Sequence, residues 1–233
     1  TAYEIYQCDW EFRRVLFRSL IIILAIANLN FAFAVETIPS MLNPVKVMSD
    51  KVADIIDPPN TAALNIMVNA LSSLKELRKK NEASDENIKA LIKIKLLPNI
   101  SMDVSTELAL KTHWHKLSDQ EKSIFKKYIT QSLIRDYAGI LGSYERLDSV
   151  SISVDPKIKR KDNKAIVKLI ISLNDDPKPF TVSLKMIRSS QWRVYDVVFS
   201  GVSLMKNYRA QFDSHIKRKG IDSLVAKTLK KIK

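Results

Sequence analysis

The sequence predicts an α+β fold in which a twisted four-stranded antiparallel sheet is covered by helices on one face. Two observations lead to this prediction. Apolar residues recur at helical spacing before residue 143 and after residue 202, and residues 150–199 show strand-like alternation broken by short polar connections. The length of 233 residues and the 46% hydrophobic content suit one globular domain with extensions.

The N-terminal segment, residues 1–34, is predicted to be a targeting segment. Arg13, Arg14 and Arg18 precede an apolar stretch, and residues 32–34 form a small-x-small cleavage site, as in a secretory signal peptide. We expect cleavage after Ala34 and a single domain over residues 35–233, the alternative being an uncleaved N-terminal anchor. Residues 1–19 do not resemble the start of a signal peptide, and we interpret them as an artefact upstream of the natural start. Cys8, the only cysteine, lies there, which excludes a disulfide framework in the exported chain.

Three helices are predicted before residue 100. Helical spacing of apolar residues indicates helices over residues 37–56 and 61–79, separated by an Asp-Pro-Pro-Asn break. Ser84 is a suitable N-cap for a third helix over residues 87–97, and Pro98 would end it.

The longest predicted helix follows a capping motif. Residues 102–114 are predicted to be helical, and Ser118 with Glu121 then forms a capping box, in which each side chain bonds the backbone N–H of the other residue. A wide apolar stripe that includes Tyr137 continues to Gly142, a suitable C-terminal stop.

Four strands are predicted in the second half of the chain, over residues 150–154, 165–173, 180–187 and 192–199. The connections 174–177 and 188–191 are short, which favours an antiparallel meander. The first connection, residues 156–163, is basic and is expected to be exposed.

Two helices are predicted to complete the fold. Gly201 turns the chain into a helix over residues 203–217, with Ser203 as its N-cap. After Gly220, residues 221–232 form a last amphipathic helix.

The residue pattern does not favour a metal site. His113 and His115 are two residues apart on a predicted helix and therefore point to different faces, and the remaining histidine is His215. We predict no metal and no cofactor.

The pattern does not favour an enzyme either. Gly201 and Ser203 match part of a Gly-x-Ser-x-Gly nucleophile elbow, but Met205 stands where the second glycine is needed. Asp196 lies within an apolar strand and requires a partner, and we predict a structural ion pair with Arg209, with Arg193 as the other candidate.

The charge of the chain is strongly positive, with 38 Lys and Arg against 25 Asp and Glu, a net charge of +13. This surplus suits an anionic partner such as lipid headgroups or an acidic protein surface, or it is a solvated surface without a partner. We predict no nucleic-acid binding, because no nucleic-acid motif accompanies the charge and the chain carries an export signal.

The apolar content allows two interpretations. The strand predicted over residues 165–173 is nearly apolar on both faces. Helices on both sides would make this an ordinary core, whereas an apolar cavity between the sheet and its helices would bind a lipidic ligand.

The C-terminal half also resembles the MlaC family, the auxiliary proteins of toluene-tolerance ABC transporters. The matching motifs are Trp192-Arg193-Val194-Tyr195-Asp196, Gly201-Val202-Ser203-Leu204, Asn207-Tyr208-Arg209 and Gln211-Phe212. The resemblance extends over about residues 35–232, with His115 as a departure where Arg is common. It implies a monomeric periplasmic phospholipid carrier that exchanges lipid with an outer-membrane lipoprotein–porin complex and an inner-membrane ABC complex, and so maintains outer-membrane asymmetry.

We expect the lipid pocket to be lined by one sheet face, the long helix and the helix after the last strand. The predicted lining residues are Tyr137, Val167, Leu169, Ile171, Val182, Leu184, Val194, Leu204, Tyr208 and Phe212. The alternative function is a periplasmic adaptor that binds proteins through its basic surface and has no lipid cavity.

Overall fold

The computed structural model describes residues 58–143, 147–174 and 176–232. The predicted signal segment and the helix predicted over residues 37–56 lie outside this part of the chain, as does the beginning of the predicted 35–233 domain. The helices described are α1 Pro59–Lys79, α2 Asp85–Leu91, α3 Met102–Leu110, α4 Asp119–Ser143, α5 Leu204–Lys219 and α6 Ile221–Ile232.

An antiparallel sheet follows α4 along the chain, and the predicted α+β class is confirmed. Its strands are β1 Val150–Val154, β2 Lys159–Lys161, β3 Lys164–Leu173, β4 Asp176–Arg188, β5 Trp192–Phe199 and β6 Val202–Ser203. The order across the sheet is β1-β3-β4-β5-β6, and β2 also pairs with β3, beyond the end of β1.

Two short strands were missed by the sequence prediction. The basic connection expected to be an exposed loop contains β2, whose three residues are exposed as expected. Ser200 and Gly201 both have positive φ, 49° and 80°, which matches the two-residue turns that join twisted antiparallel strands. The chain therefore forms the β5–β6 hairpin before α5 begins.

The predicted N-caps form through local hydrogen bonds. Ser84 Oγ accepts a bond from the backbone N–H of Asn87 at 3.2 Å, and Ser203 Oγ accepts one from Lys206 at 3.1 Å. At the start of α4, the Glu121 carboxylate accepts a bond from the Ser118 backbone N–H at 2.8 Å. Each cap satisfies backbone groups that the first helical turn leaves without a partner.

The helix predicted over residues 87–97 is shorter in the structure. α2 passes at Ile92 into a π-helical segment, Ile92–Leu96, and then into a 3₁₀ turn, Leu97–Asn99. Pro98 has no backbone N–H to donate, so the helical segment ends in this turn, and Ile100 is already extended. The end of the predicted 102–114 helix is likewise a 3₁₀ segment, Lys111–Lys116.

Two apolar clusters hold the helices together. The first, called the helical core, contains Met102, Ala109, Leu110, Leu117, Phe125, Ile129, Leu133, Leu204, Met205, Tyr208, Phe212 and Leu224. The second joins α1 and α2 to α4 through Leu74, Ile88, Leu91, Ile92, Ile134, Ala138 and Leu147. Arg78 of α1 also donates hydrogen bonds to the carbonyl oxygens of Leu141 and Gly142, which attaches the end of α1 to the end of α4.

Candidate functional site

One face of the sheet is apolar over four adjacent strands. Directly paired residues point to the same side of a sheet, so the register assigns each residue to a face. Val167 pairs with Leu184, Leu169 with Val182, and Val154 with Leu169. The structure therefore brings together all six predicted sheet residues, namely Val167, Leu169, Ile171, Val182, Leu184 and Val194.

A β-bulge lets β5 contribute to the same face along its whole length. Met186 pairs with Val194 and Leu184 with Val197, so β5 has one residue more than β4 over this interval. The extra residue reverses the alternation. Val194 and Val197 therefore lie on the same face although they are three residues apart.

Burial divides this apolar face into two ends. Val167, Leu169, Leu184 and Met186 are at most 3% exposed, which is the burial of a closed core. The end next to β1 is only half-buried, and its apolar side chains are Ile152, Ile171, Leu173, Phe180, Val182 and Phe199. These residues keep accessible apolar surface, which is the surface that a lipid chain could cover.

Helix α1 lies on the apolar face. It contacts β1, β3 and β5. The side of β3 that is buried carries Val167 and Leu169, so this is the side that α1 covers. Because α1 contacts β1, it reaches the half-buried end. Its own apolar residues Leu64, Met67 and Leu71 are half-buried too, and Val68 is 39% exposed. Apolar surface that is not fully buried therefore lies on both the sheet and the helix.

The predicted helical lining residues lie in the helical core. Leu204, Tyr208 and Phe212 are buried there, and the Phe212 ring centroid is 5.4 Å from that of Phe125 and 6.0 Å from that of Tyr208. Tyr137 is half-buried and packs against both apolar clusters. The structure thus separates these four residues from the six on the sheet.

Burial changes the acid–base properties of both tyrosines. Desolvation, with a smaller effect of the neighbouring Asp136 carboxylate, raises the pKa of Tyr137 to about 12. Desolvation and Asp136 also raise the pKa of Tyr208. Both phenols are therefore neutral at physiological pH, as expected for packing residues.

Asp196 joins the sheet to the helical layer, but its partner is not the predicted Arg209. Its Oδ2 lies 2.8 Å from Lys185 Nζ and accepts a bond from Ser203 Oγ at 2.7 Å. Its Oδ1 accepts a bond from the Met205 backbone N–H at 3.1 Å. Lys185 replaces Arg209 as the cation because the sheet register places it directly opposite Asp196. The carboxylate thus holds the first turn of α5 against β5.

Within the described ranges, no group of three or more His, Cys, Asp and Glu side chains is arranged to hold a metal ion. His113 pairs instead with Asp213, at 3.1 Å between Nε2 and Oδ1. None of the helices within residues 58–143, 147–174 and 176–232 combines the length and the apolar content of a membrane span.

An open antiparallel sheet with an apolar face beneath a helix is suited to binding an apolar ligand. The model of the family described as "MlaC protein" matches residues 65–230. The chain therefore belongs to the MlaC family, and the resemblance noted in the sequence is confirmed.

The chain is similar to two characterised proteins, one in sequence and one in structure. The intermembrane phospholipid transport system binding protein MlaC of Haemophilus influenzae is 22% identical over 144 residues, which are 60% of this chain and 66% of that protein. The chain thus spans just under two thirds of the length of this curated relative. A phospholipid-binding protein from Ralstonia solanacearum, solved with a phospholipid, superposes with a TM-score of 0.65 at 20% identity, over 76% of this chain and 97% of that one. This structural similarity supports the α+β fold described above.

Sequence reasoning missed two features, namely the helix that covers the apolar sheet face and the cation that pairs with Asp196. It recognised the apolar stripe of α1 but did not assign that helix to the sheet face. It also overlooked Lys185, which alternates with apolar residues on β4 and resembles an ordinary exposed lysine. The stripe on α1 was a usable signal, whereas the Lys185–Asp196 pairing depends on strand register.

Proposed function

We propose that this protein is an exported phospholipid carrier that binds glycerophospholipid acyl chains against the apolar sheet face, beneath α1. The observation that carries the proposal is the half-buried apolar end of that face, shared by β1, β3, β4 and β5 and reached by α1. Membership of the MlaC family supports it, as does the phospholipid-transport name of the Haemophilus relative.

The energetics of lipid transfer explain why such a surface is needed. Each buried CH₂ group contributes about 0.8 kcal/mol, so two acyl chains amount to roughly 20–25 kcal/mol. A phospholipid therefore leaves a bilayer very slowly unless a protein offers apolar surface of similar extent. A carrier of this kind makes the transfer nearly isoenergetic and reversible. The headgroup can remain in water, so weak headgroup selectivity is expected.

The carrier would act in the periplasm, between two membrane complexes. It would exchange lipid with an outer-membrane lipoprotein–porin complex and with an inner-membrane ABC transporter complex, and thereby maintain outer-membrane lipid asymmetry. The direction of transport would come from these partners and from ATP hydrolysis by the transporter. The carrier itself needs no catalytic residue, because no covalent bond changes.

The direct test is native mass spectrometry of the protein purified from a Gram-negative host, together with solvent extraction. We expect a bound mass of phospholipid size that the extract identifies as phospholipid. Ligand-free protein that also takes no labelled phospholipid from vesicles would contradict the proposal. That outcome would favour the alternative, a protein-binding adaptor without a lipid cavity.

The position of the site is tested by filling it. Val182 is half-buried on the apolar face, and its neighbour Thr181 is exposed on the opposite face of the same strand. Val182→Trp places a large apolar side chain where an acyl chain would lie, so the variant should carry much less phospholipid. Overpacking costs about 1–3 kcal/mol in a closed core, and the residual exposure of Val182 reduces this cost.

Thr181→Trp is the matched control, because it adds the same side chain to the same strand on the other face. It should keep its lipid. Circular dichroism must show folded protein for both variants. If Val182→Trp retains as much phospholipid as the control, the acyl chains bind elsewhere. Leu184 is less suitable for such a test, because at 3% exposure a large or charged replacement would disturb the fold itself.

A further inference from the structure

The sheet face that points away from α1 is strongly basic. Lys161 of β2 pairs with Lys164 of β3, and this row continues through Ile187 to Arg193 of β5, so all four side chains lie on one side. Lys159 and Lys168 lie on the same side in the adjacent part of the sheet. We call this surface the outer basic face and define it by Lys159, Lys161, Lys164, Lys168 and Arg193. The four lysines are exposed and Arg193 is half-buried.

The charge of this face is not balanced by acids at its paired positions. Asp196 lies on this side, but its side chain is buried and pairs with Lys185. Lys161 stands directly opposite Lys164, and like charges at directly opposed positions destabilise a strand pair. The fold thus keeps a repulsion that a glutamate at either position would remove. Folding alone does not require two lysines at these opposed positions. A negatively charged partner would offset the repulsion between them.

Apolar residues lie between these cations. Ile166, Ile170 and Ile187 are on the same side of the sheet and are half-buried. An apolar centre with a charged rim is the usual composition of a protein–protein interface. Membrane-surface binding generally adds a well-exposed apolar side chain that inserts among the headgroups. The large apolar residues that are most exposed in the described part of the chain, such as Ile94 at 68%, lie elsewhere.

We propose that the outer basic face docks the protein onto an acidic surface of a protein partner. The identity of that partner, a component of the lipid-transport complexes, rests on the proposed function. Charge complementarity would accelerate encounter and set the orientation. Docking through this face leaves the α1 side of the sheet uncovered, so that α1 stays free to admit or release a lipid while the carrier is bound.

The test measures binding of the whole protein to the two purified complexes, the outer-membrane lipoprotein–porin complex and the inner-membrane ABC complex. Biolayer interferometry would be run at about 50 mM and about 300 mM NaCl, since screening weakens interactions between exposed charges. The variant is Lys159→Glu/Lys161→Glu. The control, Lys116→Glu/Lys127→Glu, has the same change in charge at exposed positions outside the sheet.

We expect Lys159→Glu/Lys161→Glu to bind at least one complex about tenfold more weakly at low salt, and the control to stay within about twofold of the unmodified protein. High salt should remove most of the difference. Lys161→Glu alone should not lower the melting temperature, because it replaces a like-charge pair by an opposite-charge pair. Lys159 is exposed and lies opposite Ile166, so the double variant should also melt at an unchanged temperature, and a loss of binding would then not come from unfolding.

Three results would overturn the inference. First, Lys159→Glu/Lys161→Glu could bind the complexes as well as the control variant does. Second, the unmodified protein could bind neither complex. Third, in a parallel measurement, Lys159→Glu/Lys161→Glu could lose binding only to vesicles that contain phosphatidylglycerol and keep binding to both complexes. The last result would make the face a membrane contact. Native mass spectrometry of the same samples keeps the two proposals separate: absence of bound phospholipid contradicts the proposed function, whereas lipid-loaded variants with unchanged docking contradict this inference alone.

Discussion

Replacing Asp196 by asparagine should destabilise the protein more than any exposed substitution. The Asp196 side chain is fully buried and faces three donors, on Lys185, Ser203 and Met205. Asparagine keeps one oxygen acceptor, but its NH₂ group would face donors instead of accepting from them. The ammonium of Lys185 would lose its counter-ion.

The size of the effect follows from the geometry. A hydrogen bond to a charged group contributes about 1.5–3 kcal/mol, and breaking a buried ion pair typically costs about 3–5 kcal/mol. The Lys185 side chain is 23% exposed and can turn towards water, which places the expected loss at the lower end. We therefore expect the free energy of unfolding to fall by about 3 kcal/mol. At roughly 2–4 °C per kcal/mol for a chain of this size, the melting temperature should fall by about 6–12 °C.

Urea unfolding of a double-mutant cycle measures the coupling. The variants are Asp196→Asn, Lys185→Met and the two combined, and we expect the loss in the double variant to be smaller than the sum of the single losses by at least about 1 kcal/mol. Arg209→Met serves as the control, because Arg209 was the partner predicted from sequence. Additive losses for Lys185, or a coupling of Asp196 with Arg209 instead, would refute the structural assignment.

Two further predictions concern local interactions. Burial raises the pKa of Tyr137 to about 12, against about 10 in an unfolded chain, so its contribution to stability should be complete below pH 10 and should decline between pH 10 and 12. The urea concentration at the unfolding midpoint should therefore decrease as the pH is raised from about 9 to about 11.5. Tyr137→Phe should make this decrease smaller without abolishing it, since the pKa of Tyr208 is raised as well. An unchanged pH dependence in Tyr137→Phe would contradict this prediction. Ser118→Ala removes a cap of α4 and should lower the free energy of unfolding by about 1 kcal/mol, while Ser118→Thr should restore most of it and Ser123→Ala, at an exposed position in the same helix, should have little effect.

Those features that depend on neighbouring residues were predictable from the sequence. β5, Trp192–Phe199, and α6, Ile221–Ile232, have the predicted bounds, because alternation and helical spacing are visible within one segment. The caps at Ser84, Ser118 and Ser203 also formed as predicted, since a cap involves residues only three positions apart.

The location of the candidate site was predictable only in part. The alternation of β3 and β4 correctly grouped Val167 with Leu184 and Leu169 with Val182. Alternation could not reveal that a bulge in β5 places Val194 and Val197 on the same side, because a bulge changes register without a clear sequence mark. Tyr208 and Phe212 were assigned to the same pocket because they are apolar and follow β5, yet they pack among helices.

Local sequence determined the long strands and most of the helices described above, their caps and the excess of positive charge, because these depend on spacing and composition along the chain. Tertiary structure alone decided which helix covers the apolar sheet face, which cation neutralises Asp196 and how the lysines of β2 and β3 gather on the opposite face. Those outcomes depend on strand register, which brings together residues that are distant in sequence. A shift of one residue would move every side chain of a strand to the other side of the sheet.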